Sequence, residues 1–321
     1  MMVENRKHHV FLMRHCFRST KNRVRLYNET DEDPYDYDPQ DFIAAPLPNW
    51  NVPEMQCLPH GEKIIQETGK IMFHKILSSE GNARKVKIQI VTDSTQRDVG
   101  TSFAFYQGFM EASKESHHII EGLPDLQYDH AFFHPVKAGL CEYKYPIERL
   151  TNDIQHRFQS VKPPEPDLTN VLTMLQKLGG IGKLGPLTSM DPSLRLSPHQ
   201  NYTKFEGAMN IVKLFSQLAF FSRVAEITPP FLPDATISDA YNLLEWNYWS
   251  RDVLSIGNVK SSTMGSALVY KLIQTLKTGY HYVPTSERQS NNEDSDEIRI
   301  IIYAGHDTNL DACATTLGKL V

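Results

Sequence analysis

Three short apolar runs constrain the fold of this chain more than any other feature. His9–Met13 is apolar, Val86–Thr92 (V-K-I-Q-I-V-T) mostly alternates, and Ile298–Ala304 (I-R-I-I-I-Y-A) is a nearly continuous apolar run. Nearly continuous runs of this kind suit strands buried on both faces of a parallel sheet. Each leads, directly or across a short loop, into polar residues with chemical capability. Open α/β sheets bind ligands beyond the carboxyl ends of their strands, so three distant segments converge on one edge. Helical periodicity fills the intervals. Gly61–Leu77 aligns Ile64, Ile65, Thr68, Ile71, Met72 and Ile76, and Thr101–Ala112 aligns Phe105, Phe109 and Ala112. Glu206–Ile227, Ser238–Leu254 and Met264–Leu276 read as further helices, with Ser238-Asp239 as an N-cap. The expected fold class is α/β: a doubly wound, mainly parallel sheet.

The stretch from about Asp125 to Leu254 is rich in helix signals and poor in strand signals. It predicts a discontinuous core, residues 1–125 and 255–321, carrying a mostly helical cap insertion at 126–254. Pro163-Pro164-Glu165-Pro166 and the glycine-rich run 179–186 mark loops inside the insertion. Glu29–Asp41 and Ser286–Glu297 read as surface loops.

With 321 residues the chain can bury a large core without staples. Its 33 basic and 38 acidic side chains, a net charge of −5, argue against a whole-protein embrace of nucleic acid. The most apolar region, Ala208–Ile227, is interrupted by Lys213, Gln217 and Arg223, so it predicts a buried helix and no membrane span. Val10–Met13 is too short for the core of a secretory leader, which by itself favours a cytoplasmic chain. Cys16, Cys57, Cys141 and Cys313 are scattered, with no C-x-x-C pair, so a thiolate zinc site is not expected and free buried cysteines are. No H-E-x-x-H or H-x-H spacing supports a zinc hydrolase.

Chemistry concentrates in three clusters, each after a strand: Arg14-His15-Cys16-Phe17-Arg18, Ser94-Thr95-Gln96-Arg97 and His306-Asp307-Thr308-Asn309. Guanidinium groups present rigid donor forks that match phosphate oxygens and stabilise the charge of a transferring phosphoryl group. A neutral imidazole attacks phosphorus to give a phosphohistidine that water hydrolyses. The leaving alkoxide needs a proton, which a carboxylic acid can supply. His15 as nucleophile and Asp307 as proton donor fit that division, with Arg14, Arg18, Arg97 and His306 binding phosphate.

On these residues the chain resembles the histidine acid phosphatases, the second branch of the histidine phosphatase superfamily. Arg14–Thr20 is similar to R-H-G-x-R-x-P, and Ala304-Gly305-His306-Asp307-Thr308-Asn309-Leu310 to the family's His-Asp signature. Leu58-Pro59-His60-Gly61-Glu62 resembles its L-T-x-x-G turn, and Phe133–Cys141 a stretch of the bacterial phytase and glucose-1-phosphatase group. The resemblance implies a phosphoric monoester hydrolase with a small-molecule phosphomonoester as partner. It implies no nucleic acid, membrane, metal or other cofactor, and secreted or periplasmic residence. Thr308, Asn309 and Lys21 are expected in the substrate pocket.

The chain departs from the pattern at Cys16, where the family has Gly, and at Thr20, where it has Pro. A Cβ at Cys16 crowds a backbone that Gly leaves open, and a thiol there could also oxidise. Relatives also continue past the equivalent of Asn309, and Cys141 aligns with a position that is bridged in some of them. These departures keep a second reading open: a non-catalytic phosphate-binding or scaffold protein of the same fold. A phosphomutase on the same phosphohistidine fits less well, because that branch lacks so large an insertion. Lys21, Arg23 and Arg25 form either a solvated charged loop or a surface that favours inositol phosphates or sugar phosphates; the acidic run Glu29–Asp41 reads as solvated and would repel such ligands only if it folded over the pocket. The scheme needs Asp307 protonated while His15 is neutral, or a substrate monoanion to bring the proton, so it predicts activity below neutrality. A rate peaking above about pH 8 contradicts it.

Overall fold

The computed structural model describes residues 7–26, 35–77, 85–116, 118–135, 138, 147–190, 195–199, 202–255, 259–282 and 297–318. The predicted surface loops at 29–34 and 286–296, and Cys141, lie outside them. The elements in the first half are β1 (Lys7–Arg14), β2 (Val24–Leu26), β3 (Tyr35–Tyr37), α1 (Pro59–Leu77), β4 (Lys85–Thr92), α2 (Gln96–Ser113), β5 (Ile119–Ile120), β6 (Asp125–Tyr128) and α3 (His130–Phe133). There follow α4 (Ile147–Ser160), α5 (Leu168–Gly179), β7 (Arg195–His199), β8 (Tyr202–Glu206), α6 (Ala208–Val224), α7 (Ile237–Ser255), α8 (Val259–Thr278), β9 (Glu297–Gly305) and α9 (Asp307–Thr316). None of the described helices is long and apolar enough to cross a membrane.

The chain divides into two compact units. One comprises Met1–Phe17, Pro59–Tyr143 and Lys260–Val321, the other Arg18–Leu58 and Lys144–Val259. This division differs from 126–254 in two ways, each with a physical reason. Residues up to Tyr143 stay with the first unit because β6 pairs with β4. Residues 18–58 join the second because residues 41–45 bond to the glycine-rich run: Gly182 N–H donates to Phe42 O at 3.3 Å, Leu184 N–H to Asp41 O at 2.8 Å, and Ala45 N–H to Gly179 O at 2.7 Å.

The first unit is built on a parallel sheet in which β9 lies between β1 and β4, and β4 also pairs with β5 and β6. All nine residues of β9 are buried, as its unbroken apolar run predicts. Each of its isoleucines at 0% exposure, Ile298, Ile300, Ile301 and Ile302, stabilises the fold by about 1.5–3 kcal/mol before entropy is counted. Alternate residues point to opposite faces. Ile298, Ile300 and Ile302 pack with Phe73, Phe105 and Phe109 of α1 and α2. Ile301 and Tyr303 pack with Phe132, Phe133, Leu268 and Cys313 on the other face. Helices thus cover both faces, the doubly wound arrangement. The contact of α1 with α2 depends on two glycines. A Cβ on Gly108 would strike the Gln66 carbonyl, and one on Gly69 the Phe105 carbonyl.

The second unit is mostly helical, with two hairpins that the sequence reading lacks: β2 with β3 and β7 with β8, both antiparallel. Its core is α6, buried at Ile211, Val212, Phe215, Leu218, Ala219 and Phe221; it packs against α5 and α7, which bury Val171 and Leu175 and Leu243 and Trp246 respectively. Helix α7 starts one residue before the predicted Ser238. Its cap is a box in which Thr236 N–H donates to Asp239 Oδ2 at 2.8 Å and Asp239 N–H to Thr236 Oγ1 at 3.1 Å.

Arg223 organises the turn after α6. Its guanidinium donates to four carbonyls, of Ala219, Phe231, Leu232 and Ala235, at 2.6–2.9 Å. Phe231 stacks on Phe215 at 5.7 Å. Arg223→Ala leaves those carbonyls short of donors, so it is expected to lower unfolding free energy by about 2–3 kcal/mol. A urea midpoint that falls with unchanged slope confirms this, and Arg223→Lys recovers only part because one ammonium cannot span four acceptors.

Candidate active site

Register brings the polar clusters together. Arg14 pairs with Gly305, Thr92 with Ala304, and Thr92 with Tyr128. The four strands therefore end level, and His15, Asp93, Asp129 and His306 follow at one edge of the sheet. Helices α2 and α9 begin at this edge, presenting backbone N–H groups and the positive ends of their dipoles.

His15 is 7% exposed, and its tautomer is set by its own backbone: Nδ1 lies 2.9 Å from Cys16 O. A carbonyl only accepts, so the proton is on Nδ1 and Nε2 carries the lone pair. The segment is pinned on both sides. His15 N–H donates to Gly305 O at 2.9 Å, and Cys16 N–H to Thr101 Oγ1 at 2.7 Å. Gly61 at the start of α1 permits this path, since a Cβ there would lie 2.5 Å from Phe17 O.

Two pairs flank the imidazole. Arg14 Nη2 lies 3.4 Å from Asp307 Oδ2, both side chains 29% exposed. Arg97 Nη2 lies 2.7 Å from His306 Nε2. The same Nε2 lies 3.5 Å from Oδ2 of the buried Asp98, and Nδ1 is buried with no hydrogen-bond partner among the described residues. Burial, then the charges of Arg97 and His134, push the His306 pKa down to about 4. The His15 and His306 rings are 5.7 Å apart, edge to face.

Of the other predicted site residues, Thr308 lies in the first turn of α9 and is exposed. Asn309 is 1% exposed with its amide occupied: Oδ1 accepts from His306 N–H at 2.8 Å and Nδ2 donates to Phe133 O at 2.9 Å. It positions His306 and is not open to a substrate. Arg18 and Lys21 belong to the second unit. Arg18 there donates to Ser19 O at 2.9 Å, and Ser19 N–H to Gln56 O at 3.0 Å. Burial, then Arg23, Arg25 and Arg18, lower the Lys21 pKa. Arg23 and Arg25 both bond Asp36, at 3.1 and 2.9 Å, across the β2–β3 hairpin. The basic and acidic runs that oppose each other in sequence thus partly neutralise each other.

The cysteines correct one expectation. Cys16 and Cys57 are disulfide-bonded, and Cys313 is a free buried thiol. Scattered spacing carries no signal of oxidation. Cys16 is 2% exposed, so its side chain is accommodated in the core.

Sequence reasoning missed two groups at this edge. Asp93, 2% exposed, accepts at 2.9 Å from His130 Nδ1 and 3.0 Å from His134 Nε2. Asp129 accepts from His281 Nε2 at 2.7 Å and Tyr282 at 2.8 Å, while His281 Nδ1 meets Tyr303 at 2.9 Å. Both Asp93 and Asp129 follow strands, the signal used elsewhere, but β6 (D-L-Q-Y) has too few apolar residues to be read as one.

These buried groups make stability pH-dependent. Burial lowers the pKa of His281 although Asp129 opposes it, and His306 falls to about 4. Burial raises Asp129, but its bonds from His281, Phe132 N–H and Tyr282 bring it to about 2. In each case the unfolded chain binds the proton more tightly. Stability is therefore full above about pH 6.5, falls as the histidines of the unfolded chain charge, and falls again below about pH 4 with Asp129. His306 alone accounts for up to about 3 kcal/mol of the first step. Urea midpoints measured from neutral pH down to about pH 4 should fall, and His306→Asn should flatten the profile.

No family model and no curated protein matches the chain. Solved structures do. The phytase of Citrobacter braakii has a TM-score of 0.71 at 17% identity, covering 97% of this chain and 75% of that one. Hafnia alvei phytase in its apo form has a TM-score of 0.70 at 19% identity, over 96% and 74%. The same enzyme in complex with myo-inositol hexakis sulphate has a TM-score of 0.67 at 18% identity, over 96% and 74%. The chain has the α/β fold of these phytases.

Proposed function

We propose that the protein hydrolyses phosphomonoesters through a phosphohistidine on His15. The single observation that supports this is the His15 tautomer: with Nδ1–H held by Cys16 O, Nε2 offers its lone pair to an incoming phosphorus atom. Arg14, Arg97 and His306 are the groups of this unit that would hold the phosphoryl oxygens. His15 Nε2 forms the N–P bond as the ester P–O bond breaks, and the alkoxide takes a proton from Asp307 or from the substrate monoanion. Water then attacks the phosphohistidine and gives a proton to the Asp307 carboxylate. The N–P bond breaks, orthophosphate leaves, and the neutral imidazole is restored.

The fold neighbours are phytases, and one of them holds an inositol hexakis sulphate. Inositol phosphates are accordingly the first substrate class to test on this chain, with sugar phosphates beside them. The test is turnover of p-nitrophenyl phosphate at about pH 5 with an acid-labile, base-stable phosphoryl label appearing on His15. Phosphate binding without turnover or label would instead establish the scaffold reading.

A further inference from the structure

Beside the phosphate site, and independent of the hydrolytic reading, we infer that Asp93, His130 and His134 form a binding site for a zinc-class divalent cation. One carboxylate and two imidazoles converge here from two elements, the end of β4 and the single turn of α3. Their candidate ligand atoms all lie within 4.8 Å of one another. His130 opens α3 and His134 is the residue that closes it, and their rings are 4.6 Å apart.

The anchor is prearranged. Asp93 is 2% exposed, and its Oδ1 is fixed by Ser94 N–H at 2.8 Å. Its two oxygens face His130 Nδ1 and His134 Nε2 at 2.9 and 3.0 Å. Two metal–ligand bonds of about 2.0 Å at a tetrahedral angle hold donors about 3.3 Å apart, close to each carboxylate–imidazole separation here. Entry is open, because the His130 side chain is 57% exposed and that of His134 19%. On binding, each neutral imidazole moves its proton to the other ring nitrogen and turns the freed lone pair to the metal. No proton need be released, and no redox partner is required.

The donor set decides the class of ion. Two nitrogens with one carboxylate suit zinc, cobalt, nickel or copper, whereas magnesium and calcium require oxygen donors. Three protein donors leave a coordination position open. The His134 ring lies 5.0 Å from that of His306, so the bound cation adds positive charge next to the phosphate-binding group.

The test is calorimetric titration of zinc chloride into the full, untagged, metal-free chain and its His130→Ala and His134→Ala variants. One zinc per chain is expected, with affinity weakened at least about tenfold in each variant. Cobalt should give the intense visible absorption of a four-coordinate ion in the parent and lose it in the variants. His130 is exposed and Asp93 keeps its bonds from Ser94 N–H and His134, so metal-free His130→Ala should unfold cooperatively with at most a modest fall in melting temperature, which separates ligation from folding. Equal zinc affinity in parent and His130→Ala, or no zinc uptake by the parent, overturns the inference. None of these readouts depends on phosphatase activity.

Discussion

Replacing His15 by alanine is expected to lower kcat/KM for p-nitrophenyl phosphate at least about 10⁴-fold, the loss typical of removing a nucleophile. The fold should survive, since the strand and loop around His15 are held by backbone bonds, His15 N–H to Gly305 O at 2.9 Å and Cys16 N–H to Thr101 Oγ1 at 2.7 Å. A structural role for His15 predicts a different pattern, and His15→Asn separates the two. Its amide can still donate to Cys16 O, so it should preserve the melting temperature, yet it has no lone pair to attack phosphorus and should be as inactive as alanine. Arg14, Arg97 and His306 remain in both variants, so orthophosphate should still bind within about tenfold of the parent. Turnover in His15→Asn within about tenfold of the parent would remove His15 from the mechanism, as would a phosphoryl label on any other residue.

The pattern of what was legible in the sequence follows from range. Arg14, His15, Arg97, His306 and Asp307 were readable because each follows a strong strand signal. Parallel pairing with level ends then brings them to one edge without further information. His130 and His134 were not, because β6 is short and partly exposed and owes its place to pairing with β4. The H-A-F-F-H spacing was visible, but it carries meaning only once Asp93 is known to lie beneath it. Sequence proximity to His306 points Asn309 at a pocket, but its position three residues into α9 turns its side chain back to cap His306. The second unit was least legible. Residues 18–58 join it through backbone bonds to the glycine-rich run 179–184, and such bonds leave no trace in side-chain periodicity.

Asp307→Asn is expected to separate substrates by their leaving groups. An alkoxide is a strong base and departs slowly unprotonated, so hydrolysis of alkyl phosphates such as sugar or inositol esters should fall by about 10²–10⁴-fold. The nitrophenolate of p-nitrophenyl phosphate departs without a proton, so transfer of the phosphoryl group to His15 should be nearly unaffected. On the proposed scheme the second half-reaction still suffers, because there Asp307 also takes the proton of the attacking water. The variant should therefore release a burst of nitrophenolate close to one equivalent of enzyme and then turn over slowly, with phosphohistidine accumulating. Asn keeps the Oδ1 acceptor for Thr308 N–H, 2.9 Å away, so the start of α9 should be intact. It loses the charge that faces Arg14 across 3.4 Å. If that ion pair mainly positioned Arg14 on the phosphate, both substrates would slow equally and no burst would form. Equal losses without a burst would assign Asp307 to positioning and leave the leaving-group proton to the substrate monoanion.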